Sequence, residues 1–143
     1  MKRKLRTEIL IHCDLEFLKR LSDEANEALH ITMIEEPSTC LTMIKMRENA
    51  QNSLFYLAEM LVSECRVQAG SSIGIGLIQG DEPEKAYYLA CIDAAYNTNC
   101  LFCQQWNGLL MLEKEKQDEK QRLVKAAILK SKVSFDTMDN EEY

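Results

Sequence analysis

The chain has 143 residues, of which 46% are hydrophobic, and 23 Asp and Glu residues against 17 Lys and Arg give it a net charge of -6. This length suits a single domain, because a chain of this size buries roughly two thirds of its unfolded surface without disulfide or metal staples. The negative charge disfavours binding to nucleic acid, since an acidic surface repels a phosphate backbone.

The basic residues at the N-terminus do not form a convincing targeting signal. Lys2, Arg3, Lys4 and Arg6 precede an apolar run over 9–11 that is too short for the hydrophobic region of a signal peptide. No segment approaches the length of a membrane span. We therefore predict a cytoplasmic protein that contacts neither a membrane nor nucleic acid.

Six cysteines raise the question of disulfides or a metal site. Cys100 and Cys103 form the single C-x-x-C pair, which lacks the second ligand pair of a structural zinc site and lies in a helical stretch. The other four are scattered among core-type neighbours, and we predict reduced, buried thiols at Cys13, Cys40, Cys65 and Cys91. We expect no metal and no cofactor in this chain.

The spacing of apolar residues predicts helices first and then strands. A short helix over 5–11 precedes an amphipathic helix for which Asp14 is a plausible N-cap. Strands are predicted over 30–34, 39–47, 55–68 and 73–79, with a turn around Pro37 between the first two. Because the connections are short, the four strands are expected to form an antiparallel meander.

Two further helices complete the predicted domain. Asp81 and Glu84 form a capping-box-like pair before a helix that should be buried almost all round, because Asp93 is the single charge over 86–96. The last helix is charged over 113–122 and apolar again from Leu123, which suits either an arm that docks on a partner or a bent helix on its own core. The prediction is one α+β domain over 1–133, with an N-terminal helix, a four-stranded antiparallel meander, a buried helix and a long C-terminal helix, followed by an acidic, disordered tail over 134–143.

Three glycines stand just before the buried helix, at Gly74, Gly76 and Gly80. They are superficially similar to a dinucleotide-binding fingerprint, but the spacing differs by one residue and no parallel βαβ unit surrounds them. Alternating glycines in a strand leave one face without side chains. The pattern therefore predicts that a helix or another chain's backbone approaches this strand closely.

Two carboxylates, Glu59 and Asp93, lie among apolar neighbours, where a buried charge must be paired or hydrogen-bonded. The chain has no lipase-type elbow, Walker loop or zincin motif, and its two histidines do not form a supported nucleophile–base pair. Two interpretations stay open for the carboxylates. Each is held by an internal partner, such as Arg66, or each acts at a subunit interface or shared site.

Three segments carry a resemblance to a known family: FYLAEMLVSECRV over 55–67, GIGLIQGD over 74–81, and the helix from KA at 85–86 to DAA at 93–95. Their order and spacing over 39–96 resemble the G subunit of bacterial phosphonate carbon–phosphorus lyase. In that family a strand with Gly-Glu near its middle precedes a glycine-rich strand and a helix that ends in Asp-Ala. Ala58 stands here where the family usually has the glycine.

The resemblance implies a non-catalytic or accessory subunit of a cytoplasmic core complex that also contains H, I and J subunits. That complex displaces adenine from ATP with an alkylphosphonate, and its product is ribose 1-alkylphosphonate 5-triphosphate. With the resemblance, the candidates for interface or shared-site residues are Glu59, Arg66, Gly74, Gly76, Gly80 and Asp93. Two alternatives are a stand-alone small enzyme that uses a buried carboxylate, and a structural adaptor unrelated to phosphonates.

Overall fold

The computed structural model describes residues 1–133, and the predicted acidic tail over 134–143 lies outside this range. The mixed α+β class is confirmed. In chain order the elements are α1 (Arg3–Ile11), α2 (Leu15–Leu29), β1 (Thr32–Arg47), β2 (Leu54–Ala69), β3 (Ser72–Gln79), α3 (Pro83–Asn97) and α4 (Cys103–Lys130).

The described sheet has three antiparallel strands in the order β1-β2-β3, so the prediction of four strands is wrong. The two strands predicted first are one strand, β1, which runs through Pro37 without a turn. Its register against β2 shifts between Glu35 and Ser38. Because β1 lies at the edge of the sheet, a proline at a bulge breaks no interior ladder of hydrogen bonds.

The helix starts agree only in part with the predicted caps. Asp14 is the N-cap of α2, but its side chain makes no capping hydrogen bond. The capping box predicted for Asp81 and Glu84 is wrong, because the N-cap of α3 is Glu82. The hydroxyl of Ser63 on β2 accepts a hydrogen bond from the Glu82 N–H at 2.8 Å and donates one to the Gly80 carbonyl at 2.9 Å.

Helix α3 lies directly on the glycine-rich face of β3. A Cβ added at Gly74 would lie 2.5 Å from the Ala94 nitrogen, and one at Gly76 would lie 2.7 Å from the Ala90 nitrogen. Both distances are shorter than any normal van der Waals contact, so the predicted close approach of a helix to these glycines is confirmed. The same layer contains small buried residues from the sheet and α3, namely Cys65, Val67, Ala69, Ala86, Ala90, Cys91 and Ala94.

The larger part of the core contacts other faces of α3, so this helix is buried almost all round, as its single charge predicted. Helices α1, α2 and the first part of α4 supply most of this second cluster, including Ile9, Leu10, Leu18, Leu21, Trp106 and Leu110. The indole N–H of Trp106 donates a hydrogen bond to Glu24 on α2 at 2.9 Å. This contact links the start of α4 to the rest of the bundle.

Beyond Leu110, the described part of α4 contains no buried residue, and Leu123, Val124 and Ile128 are exposed. The interpretation in which this end packs on the chain's own core is therefore wrong. Among the cysteines, Cys13, Cys65 and Cys91 are buried as predicted, but Cys40 is exposed on β1. The sequence pattern failed at Cys40 because its apolar neighbours on β1 are themselves exposed.

One end of the described sheet has three strands and the other end has only two. Strand β3 pairs with β2 only from Val62 onward, whereas β1 pairs with β2 along almost the full length of both. Residues 41–47 of β1 and 54–61 of β2 therefore form a two-stranded extension without a third strand. We call this extension the ribbon.

We predict that alanine at either strand glycine disrupts the fold. Gly74→Ala and Gly76→Ala place a methyl group against helix backbone, which has little freedom to move, so each should lower the free energy of unfolding by about 3 kcal/mol or more. Gly108→Ala is the matched control. It meets nothing within 4 Å on α4 and should raise stability by up to about 1 kcal/mol through helix propensity. Urea denaturation measures all three, and normal stability of the Gly74 and Gly76 variants would contradict the contact.

Candidate functional site

Asp93 forms the centre of a buried polar cluster at the edge of β3. Asp93 is 6% exposed, and its Oδ1 accepts a hydrogen bond from Arg6 at 2.6 Å. Its Oδ2 accepts one from Arg3 at 2.7 Å. The same oxygen also accepts the Ile75 N–H at 3.2 Å and the Asn97 amide at 3.3 Å. Of the two interpretations left open for Asp93, the structure shows the internal ion pair, with Arg3 and Arg6 as partners rather than Arg66.

The spacing of the two arginines explains how α1 reaches Asp93. Arg3 and Arg6 are three residues apart on α1, which puts both guanidinium groups on one side of the helix. The Arg6 guanidinium also lies 4.0 Å from the ring centre of Tyr96 on α3, a cation–π contact. Two of the four N-terminal cations therefore fasten α1 to α3 instead of forming a free basic patch.

The Asp93 carboxylate is poorly suited to acid–base catalysis. Both of its oxygens are occupied by cationic donors, and Oδ2 holds a backbone N–H and a side-chain amide as well. A general base needs a free lone pair directed at a substrate proton. The geometry instead describes an anchor that joins α1, β3 and α3.

Glu59 has a different environment from the one predicted. It lies exposed on the ribbon, and within residues 1–133 it forms no hydrogen bond or ion pair. The interpretation in which Arg66 pairs with Glu59 is wrong, because Arg66 lies 2.7 Å from Glu64 and 3.3 Å from Glu35. The physical reason is the alternation of a strand, which places residues 59 and 66 on opposite faces.

Glu59 lies in an apolar patch on one face of the ribbon. Met43 is directly opposite Glu59 across the two strands, and Leu41 is opposite Leu61. The side chains of Leu41, Met43 and Leu61 are 63%, 55% and 46% exposed. We call these four residues the Glu59 patch.

The Glu59 patch continues the face of the sheet that α3 covers. The register of β2 is regular from 59 to 69, so its odd-numbered residues share one face, and Cys65 and Val67 on that face are buried under α3. Helix α3 stops covering this face of the sheet near Leu61. There the Gly80 N–H donates a hydrogen bond to the Leu61 carbonyl at 2.9 Å, and the chain turns into α3. The same sheet face is thus core at one end and exposed at the other.

Further apolar residues make the rest of the ribbon an exposed surface. The exposed set, outside the Glu59 patch, is Met46, Leu54, Phe55, Tyr56 and Leu57. Contiguous exposed apolar surface of this kind marks interaction sites on soluble proteins. A two-stranded hairpin also has no hydrophobic core of its own.

The structure separates the residues that the sequence grouped together. Gly74, Gly76 and Asp93 meet at the contact between β3 and α3, and Gly80 ends β3 with a φ of 95°. Glu59 lies beyond that contact on the ribbon. Sequence reasoning missed Arg3, Arg6 and the apolar members of the Glu59 patch. The alternating Leu41 and Met43 were the available signal for a one-sided surface.

Two observations concern other classes of site. Across residues 1–133, no three or more His, Cys, Asp and Glu side chains are grouped to hold a metal ion. None of the helices in that range has the length and apolar content needed to cross a membrane.

Comparison with protein families gives a match over nearly the whole chain. The family model described as phosphonate metabolism protein PhnG matches residues 1–139. The matched range includes the contact between α3 and β3, the Asp93 cluster and the ribbon. No curated protein matches the chain.

The Asp93 cluster generates a stability prediction. Asp93→Ala leaves the buried Arg6 without a counter-charge, so we expect the free energy of unfolding to fall by about 3–5 kcal/mol. Arg3→Ala is the control, because the Arg3 side chain is 61% exposed and its loss should cost about 1 kcal/mol or less. Chemical denaturation compares the two, and equal losses would show that burial of Arg6 does not dominate the cluster.

Proposed function

The chain belongs to the PhnG family and acts in phosphonate metabolism, and from this premise we propose that it is an accessory subunit of the carbon–phosphorus lyase core complex. Its partners in this proposal are the H, I and J subunits in the cytoplasm. The assembled complex displaces adenine from ATP with an alkylphosphonate and forms ribose 1-alkylphosphonate 5-triphosphate. This chain supplies docking surface rather than a catalytic set.

The observation that carries the proposal is the exposed ribbon. Eight large apolar side chains over 41–47 and 54–61 are exposed. Covering the exposed half of one such side chain is worth roughly 1 kcal/mol, so a partner that covers the ribbon gains several kcal/mol. Exposed strands with apolar side chains are prone to aggregation unless another chain covers them. An obligate subunit meets that need.

The state of the two carboxylates supports an accessory role over a stand-alone enzyme. Asp93 is saturated by donors, and Glu59 forms no hydrogen bond or ion pair within residues 1–133. General acid–base catalysis requires a positioned group within hydrogen-bond reach of the reacting proton. The adaptor alternative, unrelated to phosphonates, is disfavoured by the family match.

Four of the six sequence candidates fall into two groups, those that build the domain and the one at the interface. Gly74, Gly76 and Asp93 hold α3 and α1 against the sheet, so their role is to build the domain. Glu59 lies on the exposed ribbon and is assigned to the interface. Arg66 lies on the opposite sheet face in contact with Glu64 and Glu35, and Gly80 shapes the turn beside Leu61.

We expect adenine release to require both assembly and an intact ribbon. The chain alone, incubated with ATP and methylphosphonate, should release no adenine, whereas the chain mixed with the H, I and J subunits should. Leu57→Asp puts a charge on the ribbon, so this variant should melt like wild type but fail to co-purify with the other subunits and fail to support release.

Leu101→Asp provides the matched control for that experiment. Leu101 is 86% exposed in the loop before α4, away from the ribbon, so the variant should assemble and support adenine release normally. Adenine release by the chain alone would refute the accessory role. Normal assembly of the Leu57→Asp variant would refute the ribbon as the docking element.

A further inference from the structure

The Glu59 patch carries a single charge within an apolar surface. Glu59 is the one charged residue among its four members, and Leu41, Met43 and Leu61 expose about half or more of their side chains. When another molecule covers this patch, Glu59 loses water on that side. A carboxylate that loses its water without gaining a counter-charge is strongly disfavoured.

The border of the patch is acidic as well. The Gly80–Leu61 hydrogen bond places the turn into α3 next to the patch, and this turn carries the exposed residues Asp81, Glu82 and Glu84. Lys85 directly follows this turn. With a net charge of -6 for the whole chain, the field at the patch favours a basic partner surface.

A second copy of this chain is a poor occupant. If two Glu59 patches face each other across a twofold axis, each patch brings its own carboxylate and acidic border, and like charges meet in the contact. Within the ribbon, the cation closest to Glu59 in register is Lys45 on β1. It follows Ile44, after which the pairing of β1 with β2 shifts in register. Reciprocal pairing of Glu59 of each copy with Lys45 of the other would satisfy a twofold axis, but it would draw the Lys45 ammonium away from the ring of Tyr56, which it faces at 5.6 Å.

We propose that the Glu59 patch docks on a different protein, at an apolar surface that presents one Lys or Arg side chain to Glu59. This inference rests on the proposed function, in which that protein is another subunit of the core complex. The partner continues the layer that α3 begins, because it covers the same sheet face beyond the start of the helix. The pairing of one charge within an apolar contact fixes the register in which the two chains meet.

The test measures how Glu59 contributes to affinity. Wild type, Glu59→Gln and Glu59→Lys are titrated against a purified complex of the H, I and J subunits at two salt concentrations. Loss of a buried charge partner should weaken binding by about 30-fold or more for Glu59→Gln, and Glu59→Lys should weaken it further. Since Glu59 is exposed in the chain alone, all three proteins should melt at the same temperature.

Glu27 on α2 supplies controls with the same changes of charge. It is exposed on a helix outside the ribbon, so Glu27→Gln and Glu27→Lys should bind like wild type. If wild type itself does not bind the H, I and J subunits, the proposed function fails. If wild type binds and the Glu59 variants bind equally well, the inference fails while the proposed function stands.

Self-association provides the last outcome. Sedimentation of the isolated wild-type chain should show no dimer that depends on Glu59. A dimer that Glu59→Lys disrupts would assign the patch to a second copy and overturn the inference. The affinity of wild type for the other subunits should fall more steeply with salt concentration than the affinity of Glu59→Gln. That difference would support the inference.

Discussion

The close contact between α3 and the glycines of β3 is the constraint on which the rest of this structure depends. With no side chain at Gly74 and Gly76, the helix backbone comes near enough to the strand for Asp93 to accept the Ile75 N–H. The carboxylate in that position then binds Arg3 and Arg6 and holds α1 in place. A wider separation between helix and sheet would move Asp93 away from β3 and weaken every one of these contacts.

The same constraint explains why the domain is complete at one end and open at the other. Helix α3 follows the short strand β3, whereas β1 and β2 are each sixteen residues long. The helix therefore covers the half of β2 that carries Cys65 and Val67 and leaves the ribbon uncovered. A buried core with an uncovered apolar extension fits the subunit role proposed for this member of the PhnG family.

Local pattern was enough to predict some parts of the fold. The single charge over 86–96 predicted a helix buried almost all round, and the alternation of Gly74 and Gly76 predicted its close approach to a strand. Pro37 was misread because a proline at a bulge of an edge strand has the same local signature as one in a turn. Arg3 and Arg6 were missed because they lie about ninety residues from Asp93 in sequence, and no local period reports so distant a pairing.

Glu59 shows the limit of reasoning about burial from one strand. Its apolar neighbours predicted a buried carboxylate, but burial depends on what covers the strand, and α3 ends its cover near Leu61. The apolar pattern marked a surface that none of the described residues covers. Cys40 was misjudged because its apolar neighbour Leu41 on β1 is itself exposed.

The most direct test of the account is hydrogen–deuterium exchange of this chain, alone and assembled with the H, I and J subunits. The account predicts that amides over 41–47 and 54–61 exchange more slowly in the assembly, while those of α3, already buried in the chain alone, change little. Ribbon amides that exchange equally fast in both states, with new protection confined to another surface, would contradict the claim that the ribbon is the docking element.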